Sequence, residues 1–230
     1  MAKILLVAGH GAGDPGACAG GFYEADLTRE VAEQVQARLS GYADIFDTSL
    51  NMYKFLKGSG SFDFSGYDYI LEIHFNAGAN KNANSSTTGT EILIHTSATP
   101  TGFEDAILNG LSAVGFRNRG IKRRSDLQNM NIMQKKGVNY ALLEVCFIDD
   151  PDDMKLFADK KEETAAAIVK AAADKFGIML GSEEVKELVS ELALRGIVTN
   201  RELWLKKLAE DSNACWLAKK TVKYLKEKQV

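Results

Sequence analysis

The chain has 230 residues, of which 45% are hydrophobic and 26% charged, with three prolines and twenty glycines; this is the profile of an ordinary soluble globular protein, not of a fibrous or disordered one. A formal net charge of −3 argues against a nucleic-acid partner, which would call for a basic face. Apolar runs are only a handful of residues long, so no membrane span is expected, a bilayer crossing needing about 20.

Lys3 to Ala8 is an apolar run ending at Gly9-His10-Gly11 and predicts a buried strand. Its apolar part, Ile4 to Ala8, is too short for a secretory signal, so synthesis in the cytoplasm without a signal peptide is expected. Gly11 to Gly21 holds five glycines and one proline and reads as a loop. Leu27, Val31, Val35 and Leu39 then recur at helical spacing and predict a helix over 24–39. Ala43 to Thr48 suits a second strand, and Asn51 to Tyr67, with Gly58 and Gly60, an irregular connection. Tyr69 to Phe75 is a strand followed by a polar loop to Thr88. Thr90 to His95 is another strand, and Phe103 to Val114 suits a helix. Tyr140 to Phe147 is the last strand. Asp152 or Asp153 is expected to cap one long helix reaching about Phe176. Strands alternating with helices predict an α/β fold, a mostly parallel sheet flanked by helices, with functional loops at the carboxyl ends of its strands.

Past Gly177 and Gly181-Ser182 no strand pattern remains, and 183–194, 201–208 and 214–225 read as short helices. From Ser182 onward ten Lys and Arg face eight Asp and Glu, whereas the rest carries 18 against 23. Two domains are therefore expected, a larger one over 1–178 and a small all-helical module over 182–230. Trp204 and Trp216, the chain's two tryptophans, suit a core anchor or a ligand face of that module.

The chemistry must draw on a short list. Cys18, Cys146 and Cys215 are scattered without metal-ligand spacing, and the histidines are His10, His74 and His95. His10 follows the first strand, His74 closes another, Glu24 opens the first helix and Glu144 sits inside the last strand, so a parallel sheet can bring the four to one edge. Two imidazoles and a carboxylate make a common catalytic zinc set that leaves a position for water. A second carboxylate outside the set can act as general base, and Glu144 suits that role because an acid in so apolar a strand needs a reason to be there. Each residue also has a plainer reading. Glu24 can be a first-turn acid favoured by the helix dipole, Glu72 can equally point inward beside His74, and Glu144 can be a salt-bridged core acid. The glycines at 9, 11 and 13 make a poor pyrophosphate loop with His10 and Asp14-Pro15 among them, and Cys146, in an apolar run, makes a poor nucleophile.

The string from Val7 to Ala17, Val-Ala-Gly-His-Gly-Ala-Gly-Asp-Pro-Gly-Ala, resembles the opening motif of zinc-dependent N-acetylmuramoyl-L-alanine amidases of the amidase-3 type. The strings at 21–27, 71–77, 89–91, 118–122 and 142–149 are similar to that family's later motifs, in its order, over about residues 1–176. The resemblance implies that His10, Glu24 and His74 hold Zn²⁺ and that Glu144 is the catalytic base. It also implies that the substrate is peptidoglycan, cut between N-acetylmuramic acid and L-alanine. Rival readings are a zinc peptidase of the stem peptide and a non-catalytic cell-wall-binding protein. A catalytic domain followed by a small module resembles a phage or prophage endolysin, which acts on the wall after release. The module would then bind a secondary wall polymer, and its positive balance fits an anionic one. Lys122-Arg123-Arg124 is expected to be a solvated turn or an anchor for the acidic stem peptide. His95 is expected to be structural or substrate-side.

Overall fold

The computed structural model describes residues 2–11, 13–39, 41–78, 87–178, 183–210 and 212–227. The chain divides into two compact units, Met1–Ile178 and Met179–Val230. The strands of the first unit are β1 (Ile4–Ala8), β2 (Cys18–Ala19), β3 (Phe22–Tyr23), β4 (Ala43–Ile45), β5 (Tyr69–Asn76), β6 (Thr90–His95), β7 (Asn118–Arg124) and β8 (Tyr140–Phe147). Its helices are α1 (Glu24–Arg38), α2 (Met52–Lys57), α3 (Phe103–Val114), α4 (Gln128–Lys136), α5 (Pro151–Asp159) and α6 (Lys161–Phe176).

Six strands form one sheet in the order β4-β1-β5-β8-β6-β7. β4, β1, β5 and β8 run parallel, while β6 is antiparallel to β8 and carries β7 parallel to itself. The expected mostly parallel sheet is thus present, with a reversed pair at one edge. Its central strands read as near-continuous apolar runs because both faces are covered. On one face Leu27, Val31 and Val35 of α1, Ile107 and Leu111 of α3 and Ile168 of α6 are buried against Leu6, Leu71, Ile73 and Leu143. On the other, Met52 of α2 and Met130 and Met133 of α4 close over Leu5, Val7, Ile70 and Leu142. Each such side chain contributes about 1.5–3 kcal/mol by leaving water, which fixes the register of the strands that carry the site.

Four expectations need correction. The connection over 51–67 contains α2, whose first turn is capped by the Asn51 side chain accepting from Lys54 N at 3.0 Å. The 118–124 stretch is the edge strand β7, so Lys122-Arg123-Arg124 is not a turn; its main chain is tied to β6, and charge suits an exposed edge. The long helix after β8 is two helices, α5 and α6, which meet at Lys160. Its cap is Asp150, not Asp152 or Asp153: Asp150 Oδ1 accepts from the amides of both at 3.0 and 2.9 Å. Pro151 at the first helical position forces that choice, because the cap residue precedes it in extended conformation. The glycine-rich loop also folds a small hairpin, β2 against β3.

The second unit comprises α7 (Glu183–Leu194), α8 (Arg201–Glu210) and α9 (Ser212–Glu227). Val185, Leu188, Val189, Leu192, Leu208 and Val222 form its core, with Trp204 packed against it. The Trp216 side chain, Gly181-Ser182 and Asp211 lie outside the described residues.

Candidate active site

The carboxyl ends of β1, β5 and β8 lie side by side, and this edge gathers the chemistry. Gly9 N donates to Ile73 O at 2.9 Å and pins the chain leaving β1 onto β5. His10 then turns through φ 66°, a left-handed conformation that costs a non-glycine residue of order 1–3 kcal/mol and is characteristic of functional sites. Two glycines are required by close approach. A Cβ on Gly9 would stand 2.5 Å from the His74 ring, and one on Gly16 would stand 2.6 Å from His10 Cδ2 and 2.7 Å from Glu24 Oε2.

Glu24, first residue of α1 and buried, sits between the two imidazoles. Its Oε2 lies 3.0 Å from His10 Nε2 and its Oε1 2.9 Å from His74 Nδ1. The amides of Ala17 and Phe75 donate to the same carboxylate at 2.8 and 3.1 Å. Burial opposes its charge, yet the hydrogen bonds from both histidines and from Ala17 N prevail and hold its carboxyl well below the usual range. Burial likewise opposes a charge on His74, and the carboxylates of Glu24 and Glu72 overcome it, so its pKa lies well above the ordinary value. One ligand atom each from His10, Glu24 and His74 falls within 4.8 Å of the others. Two imidazole nitrogens and one carboxylate oxygen so close together are the donor chemistry of a divalent cation of the zinc type.

Glu144 pairs in register with His74 across β8 and β5 and with Glu91 across β8 and β6. Its Oε2 is buried and has no hydrogen-bond partner among the described residues. Burial pushes its carboxyl up to about 7, and the nearby Glu24 and Glu91 charges push the same way against the pull of the histidines. Glu91 has donors of its own: Arg119 Nε donates to it at 2.7 Å and Asn76 Nδ2 at 2.9 Å.

The structure therefore brings His10, Glu24 and His74 together, with Glu144 on the strand alongside. His95 lies apart, because β6 runs antiparallel and its carboxyl end reaches the opposite edge, where Nδ1 meets Ser97 Oγ at 2.7 Å. Cys146 is fully buried, which raises its thiol pKa well above the ordinary value and removes it as a nucleophile. Two hollows flank the cluster. One of about 360 Å³ is lined by His10, His74, Asn51, Tyr53 and Asn129. The other, of about 720 Å³, is lined by Cys18, Phe22, Ala77, Ile148 and Met154. Sequence reasoning gave no role to Asp14 or Glu91. Asp14 Oδ2 lies 3.3 Å from His10 Nδ1. Glu91, in Thr-Glu-Ile-Leu-Ile, carries the same signal in the sequence as Glu144, an acid within an apolar strand.

A family model described as N-acetylmuramoyl-L-alanine amidase matches residues 4–174. Among curated relatives, the Staphylococcus aureus protein described as probable autolysin PH is 30% identical over 174 residues, covering 66% of this chain and 34% of the relative. The N-acetylmuramoyl-L-alanine amidase CwlM of Bacillus licheniformis is 30% identical over 164 residues, covering 66% and 59%. The chain thus spans between a third and three-fifths of these relatives' length. The catalytic domain of CwlV, an N-acetylmuramoyl-L-alanine amidase from Paenibacillus polymyxa, superposes with a TM-score of 0.62 at 22% identity, covering 77% of this chain and 99% of that one. The catalytic domain of the CD27L endolysin targeting Clostridia difficile gives 0.60 at 23% identity, covering 76% and 98%. These two likenesses speak to the fold.

Proposed function

The chain belongs to the N-acetylmuramoyl-L-alanine amidase family, and from that premise we propose that it is a zinc-dependent hydrolase of peptidoglycan, cutting the amide between the lactyl group of N-acetylmuramic acid and L-alanine. The observation that carries the reading is the convergence of the His10, Glu24 and His74 ligand atoms within 4.8 Å beside a buried carboxyl whose Oε2 has no partner among the described residues. His10, Glu24 and His74 would hold zinc. When bound, zinc supplies Lewis acidity to the scissile carbonyl and lowers the pKa of water at the site toward about 7. Glu144 does the proton work. With a pKa of about 7 it is poised both to take a proton from the attacking water and to return it to the departing amine. The amide C–N bond breaks, a carboxylate remains on the muramoyl side and the stem peptide leaves with a free amino terminus.

Met1–Ile178 would be the catalytic domain, and Met179–Val230 would bind a secondary wall polymer. The excess of ten basic over eight acidic residues from Ser182 onward supports an anionic ligand. No helix among the described residues is long and apolar enough to cross a membrane. An endolysin-like enzyme, made in the cytoplasm and reaching the wall after release, accords with this organisation.

Dye release from purified walls, with and without a chelator, tests the reading. Lysis that chelation abolishes and zinc restores, with alanine as the new amino terminus, supports it. A different new terminal residue favours a zinc peptidase, and walls bound but uncut favour a non-catalytic binder.

A further inference from the structure

The alternation of β5 sets Glu72 and His74 on the same face of the sheet, and the two side chains meet: His74 Nε2 lies 3.0 Å from Glu72 Oε1. Glu72 is only 6% exposed and has no lysine or arginine partner among the described residues. Instead Asn129 Nδ2 donates to its two oxygens at 3.2 and 3.0 Å, and Tyr140 OH donates to Oε2 at 2.5 Å. Every one of these neighbours is a donor, so the carboxylate is fixed as an acceptor and requires a hydrogen on His74 Nε2. Nδ1, 2.9 Å from Glu24, is then the nitrogen a cation would take, in place of the proton it shares with that carboxylate in the metal-free chain. The ring is also walled in by Gly9, whose missing Cβ would stand 2.5 Å from His74 Cε1.

We propose that Glu72 is a positioning residue: braced by Asn129 and Tyr140, it holds the His74 imidazole in the tautomer and orientation that present Nδ1 to the metal, and so sets how tightly the trio takes zinc. The proposal rests on the zinc reading above. Asp14 stands in the corresponding place behind His10, but at 3.3 Å and with its side chain 32% exposed it is the looser brace. An outer carboxylate on a ligating histidine typically accounts for about 10- to 100-fold in metal affinity, so the two should differ in effect.

The test is zinc affinity, measured on the full chain by competition with a chromophoric chelator, alongside thermal unfolding of the metal-free protein. Glu72→Gln keeps the shape but offers a neutral acceptor and sets an amide donor among donors; about 10- to 100-fold weaker zinc binding is expected. Asp14→Asn should lose less. Glu104→Gln is the control, since Glu104 is equally buried and accepts from Tyr69 OH at 2.5 Å away from the zinc site. It should lower the unfolding temperature and leave zinc affinity as it was. If Glu72→Gln does not fold, Tyr140→Phe removes one donor from Glu72 and should weaken zinc by roughly 2- to 10-fold. Variants at Glu72 and Tyr140 that unfold earlier yet bind zinc like the parent overturn the proposal. A parent chain that takes up no zinc overturns the zinc reading and this inference together.

Discussion

Replacing Glu144 by glutamine separates its chemical from its structural role. The substitution removes the proton carrier and preserves volume. A positioned general base is typically worth about 10²- to 10⁴-fold, or roughly 3–5 kcal/mol in the barrier, so wall lysis should fall by that factor while zinc stays near one per chain. The same change has a signature in stability. Glu144 sits at about 7 in the folded chain against an ordinary 4.5, because burial and the charges of Glu24 and Glu91 disfavour its ionised form. In the metal-free protein at about pH 4 both states hold the proton and nothing is lost. Between about pH 4.5 and 7 the unfolded chain releases the proton while the folded chain keeps it, so stability falls as pH rises, and above 7 the penalty is complete. A difference of roughly 2.5 units amounts to about 3 kcal/mol.

Glu144→Gln lacks that titration. Whatever fixed cost its buried amide carries, the stability gap between parent and variant should shift by about 3 kcal/mol in the variant's favour from about pH 4 to pH 8. In a unit of this size the shift equals roughly 6–12 °C in unfolding temperature. Chelated samples of both proteins, unfolded by heat or urea at several pH values, provide the measurement. Parallel pH profiles would refute the reasoning, since they would mean that Glu144 is not held in an environment hostile to its charge. Loss of zinc from the variant would make Glu144 a ligand and not the base.

Gly16→Ala, at φ 67° and with a Cβ 2.6 Å from His10, should cost about 1–3 kcal/mol and weaken zinc binding, whereas Gly41→Ala, whose Cβ meets nothing, should leave zinc binding intact; competition titration distinguishes them. Asp150→Ala removes the cap of α5 and should lower stability by about 0.5–2 kcal/mol in denaturant titration at unchanged zinc content. A chain ending at Ile178 should hydrolyse a soluble muramoyl peptide like the full chain and lyse whole walls more slowly; equal lysis of walls by both would remove the wall-binding role from the helical unit.

What the sequence disclosed follows from what each element depends on. β1, β5, β6 and β8 are apolar because two helix layers cover them, and such runs are visible without any knowledge of neighbours. α3 and α7 begin and end where their periodicity does. β7 was hidden because Asn118 to Arg124 is an edge strand whose exposed charges carry no apolar period; only pairing to β6 makes it a strand. α2 was hidden because six residues give too short a window and its start depends on one Asn51 hydrogen bond. At the site, the candidate trio was legible from residue type and from its places, His10 and His74 at strand ends and Glu24 at the start of a helix. His95 shared that placement in sequence but not in space, because strand direction is fixed by pairing, which no local pattern records. Glu72 was visible as an acid alternating with His74, but its donors, Asn129 and Tyr140, are 57 and 68 residues away.

The acids at this edge differ in one respect that folding alone does not explain. Asp14 has Asn51 Nδ2 at 3.0 Å, Glu24 has two imidazoles, Glu72 has Asn129 and Tyr140, and Glu91 has Arg119. Each of these carboxylates has its own donors, and each could be accounted for by stability or by metal binding. Glu144 is the exception: among the described residues it is the only carboxylate with a buried oxygen left without a partner. An unpaired buried polar group costs about 1–3 kcal/mol, and a donor of the kind that serves Glu91 one strand away would relieve it. Such a donor would also hold the carboxyl as a permanent anion and end its capacity to accept and return a proton near neutral pH. Among the carboxylates of this edge, the one left short of a partner is therefore the one that the proposed proton transfer would need, beside the cluster that would hold the metal.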